Sequence, residues 1–154
     1  MLKLVSNMIE VHIFRLNKGS IEFLLLKRSE KEIYPGLWQM VSGSIKKGEN
    51  AAQTVVREIM EETGLKPNKL WVVPNVNSFF SADKNYISFL PVFAAQVNKS
   101  DNVIISNEHC DFKWVSLKQA NKMLAWVGQR KSVHIINDYF MRGKNFLNFI
   151  EVKV

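Results

Sequence analysis

Between Gly43 and Leu65 the chain spells a glycine-bounded loop, a helix start, a run of carboxylates and a helix stop in one continuous stretch. Gly43 and Gly48 bracket Ser44-Ile45-Lys46-Lys47, and glycine permits backbone conformations and close approaches that other residues resist. Asn50 can cap free helical N–H groups while Gln53, three residues on, reaches back, a variant of the capping box. Gly64 supplies a left-handed stop. Between these signals Ala52, Val55, Val56 and Ile59 recur at i, i+3, i+4, i+7, an apolar stripe made to pack on a sheet. The spacing predicts a helix over Ala51–Thr63, entered from a strand through the glycine loop.

That helix carries its acids where they serve stability poorly. At about 100° per residue, Glu58 and Glu62 lie one turn apart on the same face, and Glu61 within roughly 100° of both. All three sit in the last turns, where the helix macrodipole disfavours negative charge. A solvated acidic face is the plain alternative, but a chain built only for stability would place Lys or Arg there. Arg57 stands four residues before Glu61 and can hold that carboxylate in a fixed orientation. Oxygen-rich clusters of this kind suit hard cations such as Mg²⁺ or Mn²⁺, which bind substrate phosphates at the same time.

Gly43, Glu49, Arg57, Glu58, Ile59, Glu61, Glu62, Gly64 and Leu65 fill every specified position of G-x5-E-x7-R-E-U-x-E-E-x-G-U, with U aliphatic, and so the segment resembles the Nudix box. The resemblance implies an α/β/α sandwich with a mixed β-sheet and a Mg²⁺-dependent (or Mn²⁺-dependent) pyrophosphohydrolase. It makes Glu58 and Glu62 the principal metal ligands and gives Glu61 a place in the metal site or its water network. It offers the Gly43 carbonyl as a further ligand, although a tight strand-to-helix connection explains that glycine equally well. Arg57 takes a structural electrostatic role, and Glu49 anchors the loop by pairing with a cation.

Outside the box, Leu37-Trp38-Gln39-Met40-Val41-Ser42-Gly43-Ser44 and Asn107-Glu108-His109-Cys110-Asp111-Phe112-Lys113-Trp114-Val115 resemble dihydroneopterin triphosphate and dATP pyrophosphohydrolases. There the loop glutamate joins the metal site, which carries over to Glu108 as ligand or general base; an ordinary surface acid is the other reading. His109 is a proton-transfer or hydrogen-bonding group, or neither. Arg28, ending an apolar strand, resembles a residue that approaches substrate phosphate, against an ordinary strand-end charge. Trp38 either stacks on a pterin or purine ring or fills the core. If Val76–Phe80 is extended, Phe79 and Phe80 face opposite ways, so at most one should meet a ligand.

The expected reaction is cleavage of a (deoxy)nucleoside triphosphate or dihydroneopterin triphosphate to the monophosphate and pyrophosphate. Dinucleoside polyphosphate hydrolysis is the alternative, suggested by Ile21-Glu22-Phe23-Leu24-Leu25-Leu26 and Trp38-Gln39, and a non-catalytic nucleotide-binding sensor is a third.

The remainder sets bounds. A length of 154 residues with 47% hydrophobic content fits one domain over 1–154 with one substantial core. No apolar run approaches a membrane span and the N-terminus lacks a signal peptide's apolar core, so a cytoplasmic protein is expected. The single cysteine, Cys110, excludes an internal disulfide and a cysteine-based zinc site. A net charge of +7 agrees with a polyanionic small-molecule partner, a nucleoside or pterin polyphosphate. Its lysines and arginines are scattered, and net charge alone does not establish nucleic-acid binding.

Strands are predicted at Val5–Leu16 and Ile21–Lys27, joined as a hairpin through Asn17–Ser20, then at Trp38–Val41, Leu70–Val73, Val76–Phe80, Tyr86–Gln96 and Asp111–Val115. Ser116 and Gln119 introduce a second helix, and a last helix is predicted over Gln129–Met141 with Val133, Ile136 and Phe140 as its buried side.

Overall fold

The computed structural model describes residues 1–142 and 149–154. In chain order the elements are β1 (Lys3–Val5), β2 (Met8–Asn17), β3 (Ser20–Arg28), β4 (Trp38–Gln39), β5 (Val41–Ser44), α1 (Ala51–Thr63), β6 (Lys69–Ser81), β7 (Tyr86–Gln96), β8 (His109–Val115), α2 (Leu117–Met123), α3 (Val127–Arg142) and β9 (Ile150–Val152). They form one mixed sheet in which β3 and β5 run antiparallel to β2, β7 runs parallel to β2, and β6 pairs antiparallel with β7.

Strand β2 shows why the sheet must be covered twice. Ile9, Val11 and Ile13 alternate with Glu10, His12 and Phe14, and all six are buried. The first set packs with Val55 and Ile59 of α1; Phe14 packs with Phe23, Leu25 and, from α3, Val133 and Ile136. Two cores separated by one sheet make the α/β/α sandwich, as expected from the box. The β2–β3 hairpin turns through Lys18 and Gly19, whose φ values are 51° and 78°. Two successive positive φ angles match the right-handed twist of the paired strands.

Three details differ from the reading of the sequence. The first strand is broken at residues 6–7, so that β1 pairs in parallel with β7 while β2 begins at Met8. The two strands predicted around Pro74 are one strand, β6, whose register against β7 shifts between Val72 and Val76. Proline has no N–H to give the ladder, so the chain bulges past it instead of ending. Strand β9, pairing with β6 at the sheet edge, was not anticipated; three residues carry too little periodicity to read. The last helix keeps Val133 and Ile136 fully buried, with Phe140 packed beside them 4.7 Å from the rings of Phe14 and Trp71.

Candidate active site

Helix α1 starts and stops where its caps dictate. Asn50 Oδ1 accepts from the Gln53 N–H and Gln53 Oε1 from the Asn50 N–H, while Gly64 takes φ 67° and donates to the Met60 carbonyl. With Val55 and Ile59 docked on the sheet, the rotation of the helix is set. That rotation carries Glu62 inward to 4% exposure and leaves Glu61 exposed.

Arg57 is the hub of the box. Its Nε donates to Glu49 Oε1 at 2.6 Å and Nη2 to Glu49 Oε2 at 3.0 Å, a two-pronged grip that ties the loop to the helix. Nη2 also donates to the Ser44 carbonyl at 3.0 Å, and Nη1 to Glu58 at 2.6 Å and Glu61 at 3.1 Å. Hydrogen bonds from Arg57, helped by Thr54, hold Glu49 down to about 2. No three His, Cys, Asp or Glu side chains among the described residues converge on one point in this arrangement.

Gly43 is short of a side chain for a visible reason. A Cβ there would lie 2.2 Å from the Glu58 carboxyl carbon, so the glycine makes the space Glu58 occupies.

Glu62 and His109 each keep an enclosed polar atom without a partner, Oε2 and Nδ1. For Glu62 the nearest cationic candidate, His109 Nε2, is 3.9 Å away. Burial, then the charges of Glu108 and Glu58, raise its carboxyl to about 9, with Arg28 opposing. Burial likewise raises Glu58 above the usual carboxylate range, against the pull of Arg57. Burial and the Arg28 charge push His109 down to about 4, so it is neutral and offers Glu62 no counter-charge. Glu62, with an enclosed oxygen that lacks a partner, and Glu58 beside it offer the oxygen donors a hard divalent cation takes.

Glu108 is exposed at the start of β8, anchored through its carbonyl to the Ser29 N–H at 2.9 Å. Its charge acts on both Glu62 and Glu58, so the loop returns it to the same neighbourhood. Arg28, ending β3, donates to Gln39 Oε1 at 3.3 Å and to the Ile33 carbonyl. Gln39 Nε2 in turn lies 3.3 Å from His109 Nε2. Since an amide N–H₂ only donates, this contact places the imidazole proton on Nδ1.

Beside this cluster opens a cleft of about 580 Å³, reached through Gln39 and walled by Tyr34, Phe79, Phe80 and Trp126. Glu10, Asn77 and Gln129 also line it. Trp38 does not: its half-buried ring packs on the core under α2 and α3, with Lys113 Nζ 5.2 Å from its centre. The aromatic at the cleft is Trp126, which meets Tyr34 edge-on with ring centroids 5.8 Å apart. Both Phe79 and Phe80 border the cleft, more than alternation along an extended segment allowed. Glu10, overlooked in the sequence, carried a signal there: an acid inside the Met8–Phe14 run, which is apolar but for it and His12. No helix among the described residues is long and apolar enough to cross a membrane.

The sequence model of the NUDIX domain matches residues 7–135. An asymmetrical bis(5'-nucleosyl)-tetraphosphatase of Caenorhabditis elegans is 31% identical over 112 residues, covering 72% of this chain and 79% of that one. A binary complex of a C. elegans Ap4A hydrolase superposes with a TM-score of 0.74 at 27% identity, over 91% of this chain and 99% of the other. The E. coli dihydroneopterin triphosphate pyrophosphohydrolase shares the fold, with a TM-score of 0.67 at 21% identity over 89% and 95% of the two chains. The box on α1, the sandwich that presents it and the family match over residues 7–135 converge: the chain belongs to the Nudix family and is a hydrolase of phosphoric anhydrides.

Proposed function

We propose that the protein hydrolyses a nucleoside or pterin triphosphate to the monophosphate and pyrophosphate, using Mg²⁺ held by Glu58 and Glu62. The observation that carries this reading is the enclosed, unpartnered Oε2 of Glu62 beside a cleft deep enough to seat a ring system. Nudix hydrolases generally use divalent metals such as Mg²⁺. Such an ion, when bound, would neutralise phosphate oxygens and stabilise charge on the leaving group.

The protein's own groups do the rest. Glu58 and Glu62 would hold the ion, with the Gly43 carbonyl as a further donor. Glu108, exposed and adjacent, takes the proton of the attacking water or adds a ligand; Glu61, also exposed, orders the water network. Arg28, whose Nη2 meets Glu32 at 3.5 Å, would exchange that partner for a phosphate oxygen, and the cleft would orient the ring so that the anhydride lies over the acids. Arg57 positions Glu58 and Glu61 from behind.

A second reading is favoured by the similarity to the C. elegans tetraphosphatase: cleavage of a dinucleoside polyphosphate. Product-resolved chromatography with Mg²⁺ separates the two. Pyrophosphate and a monophosphate from dihydroneopterin triphosphate or dATP support the first, whereas two nucleotides from diadenosine tetraphosphate, with the triphosphates untouched, would replace it with the second. No metal-dependent turnover of any of them would point to a substrate outside this panel or to a sensor.

Gly43→Ala tests the packing of the metal site. Its Cβ would displace the flexible Glu58 carboxyl rather than backbone, so turnover should fall by about tenfold or more while the melting temperature moves by less than about 3 °C. Unchanged turnover would mean that Glu58 does not need its present place.

A further inference from the structure

Glu10 is 7% exposed, lines the cleft and is not used by the metal site. A buried acid in a ligand cleft is costly unless something there needs it. Its surroundings fix what it offers. Ser132 Oγ donates to the Gly128 carbonyl at 3.0 Å, and Asn75 Nδ2 donates to Ser132 Oγ at 2.9 Å and to Asn77 Oδ1 at 3.2 Å. That chain decides which end of the Asn77 amide is which: Oδ1 accepts from Asn75, so Nδ2 donates to Glu10 Oε2. Gly128 is part of the arrangement, since a Cβ there would come within 2.4 Å of Asn77 Oδ1.

Oε2 of Glu10 is therefore held as an acceptor. Its Oε1 has no partner among the described residues and is not among the enclosed unpartnered atoms, so it is open to the cleft, and Oε2 keeps a second lone pair. Gln129, 6% exposed and also lining the cleft, adds an enclosed Oε1 with no partner. The floor presents acceptors that lack donors.

We propose that Glu10 is a specificity-determining residue that reads the adjacent ring N–H and exocyclic amine of a 2-amino-4-oxopyrimidine edge, the edge shared by guanine and pterin. Two parallel N–H donors match the two oxygens of a carboxylate. The corresponding edge of adenine offers one donor and one acceptor, and that of hypoxanthine lacks the amine. Burial raises Glu10 to about 7, so a pair of donors, which needs the carboxylate, should bind more tightly above pH 7 than below it. This inference rests on the cleft being the seat of the substrate's ring.

Titration calorimetry of the full chain with GMP, IMP and AMP reads the base alone, without turnover. GMP should bind about tenfold to a hundredfold more tightly than IMP, the worth of a hydrogen bond to a charged group, and more tightly than AMP. Glu10→Gln, whose amide keeps the contact with Asn77 but exchanges an acceptor for a donor, should bring the GMP-to-IMP ratio close to one. Equal binding of GMP and IMP to the unaltered protein, AMP bound best, or an undiminished ratio in the variant would each overturn the assignment. The first two comparisons need no variant to fold. Neopterin against guanosine distinguishes the two sources of the edge, the tighter ligand naming the ring. Hydrolysis without any base preference would overturn this inference alone; a GMP preference with no hydrolysis would sustain it and overturn the proposed reaction.

Discussion

Glu62→Gln is expected to lower Mg²⁺-dependent turnover by about a thousandfold while leaving the metal-free protein as stable as before, or more so at alkaline pH. The two halves have one cause. In the folded chain the Glu62 carboxyl is raised from 4.5 to about 9 by burial and neighbouring acids, so the folded state binds its proton more tightly than the unfolded state does. The stability contributed by the protonated form is complete below the unfolded pKa of about 4.5 and is lost progressively as pH rises through 9.

Metal-free wild-type protein should therefore melt lower at pH 9 than at pH 5, by about 4 °C or more for a chain of this size. Glu10, raised to about 7, contributes in the same direction between 4.5 and 7. Glu58, also raised by burial, acts in the same direction; the slope that persists toward pH 9 is that of Glu62, and Glu62→Gln should reduce it. Saturating Mg²⁺ should flatten it in the wild type as well, because the ion favours the carboxylate. Differential scanning fluorimetry across pH, with and without Mg²⁺, supplies the curves. A variant that turns over within tenfold of wild type would remove Glu62 from the metal site.

What could be read in the sequence, and what could not, follows from how local each signal is. Helix α1 runs over Ala51–Thr63, the span predicted, because its caps, stripe and stop all lie within it. Tyr86–Gln96 is likewise bounded by its own residues, with a turn before it. Glu49 was open as to its partner, since nothing local names which cation it meets. The structure gives it Arg57, eight residues on, because about two turns of α1 bring residue 57 round to the side of the loop. Glu10, Asn77 and Gln129 were beyond reach. They come from β2, β6 and α3, and only the parallel placement of β7 between β2 and β6 brings them to one cleft. Trp38 and Trp126 show the same limit: either aromatic could have faced a ring, and strand pairing between β3 and β4 turns Trp38 toward the α2 and α3 core.

Arg57→Lys separates two ways in which the hub could act. The guanidinium makes five hydrogen bonds at once: two to Glu49, one each to Glu58 and Glu61, and one to the Ser44 carbonyl. Lysine keeps the charge but offers three donors from a single point, which cannot reproduce the fork on Glu49 while reaching Glu58. If orientation matters, Arg57→Lys should lower turnover by about tenfold to a hundredfold and raise the Mg²⁺ concentration needed for half-maximal activity. Arg57→Ala should do more, because Glu49, Glu58 and Glu61 would then repel one another with only Lys46, 3.6 Å from Glu61, nearby. A fall in melting temperature of about 5 °C or more is expected for Arg57→Ala, together with a loss of turnover beyond that of the lysine variant. The acid side gives a further sign. Arg57 holds Glu49 down to about 2, so the stability from that pair is present above the ordinary carboxylate pKa and is lost as pH falls toward 2. Arg57→Ala should lack that acid-dependent loss. Were Arg57→Lys to match wild type in both turnover and Mg²⁺ requirement, charge alone would suffice, and the fork that ties the glycine loop to the helix would be a matter of folding rather than of the metal site.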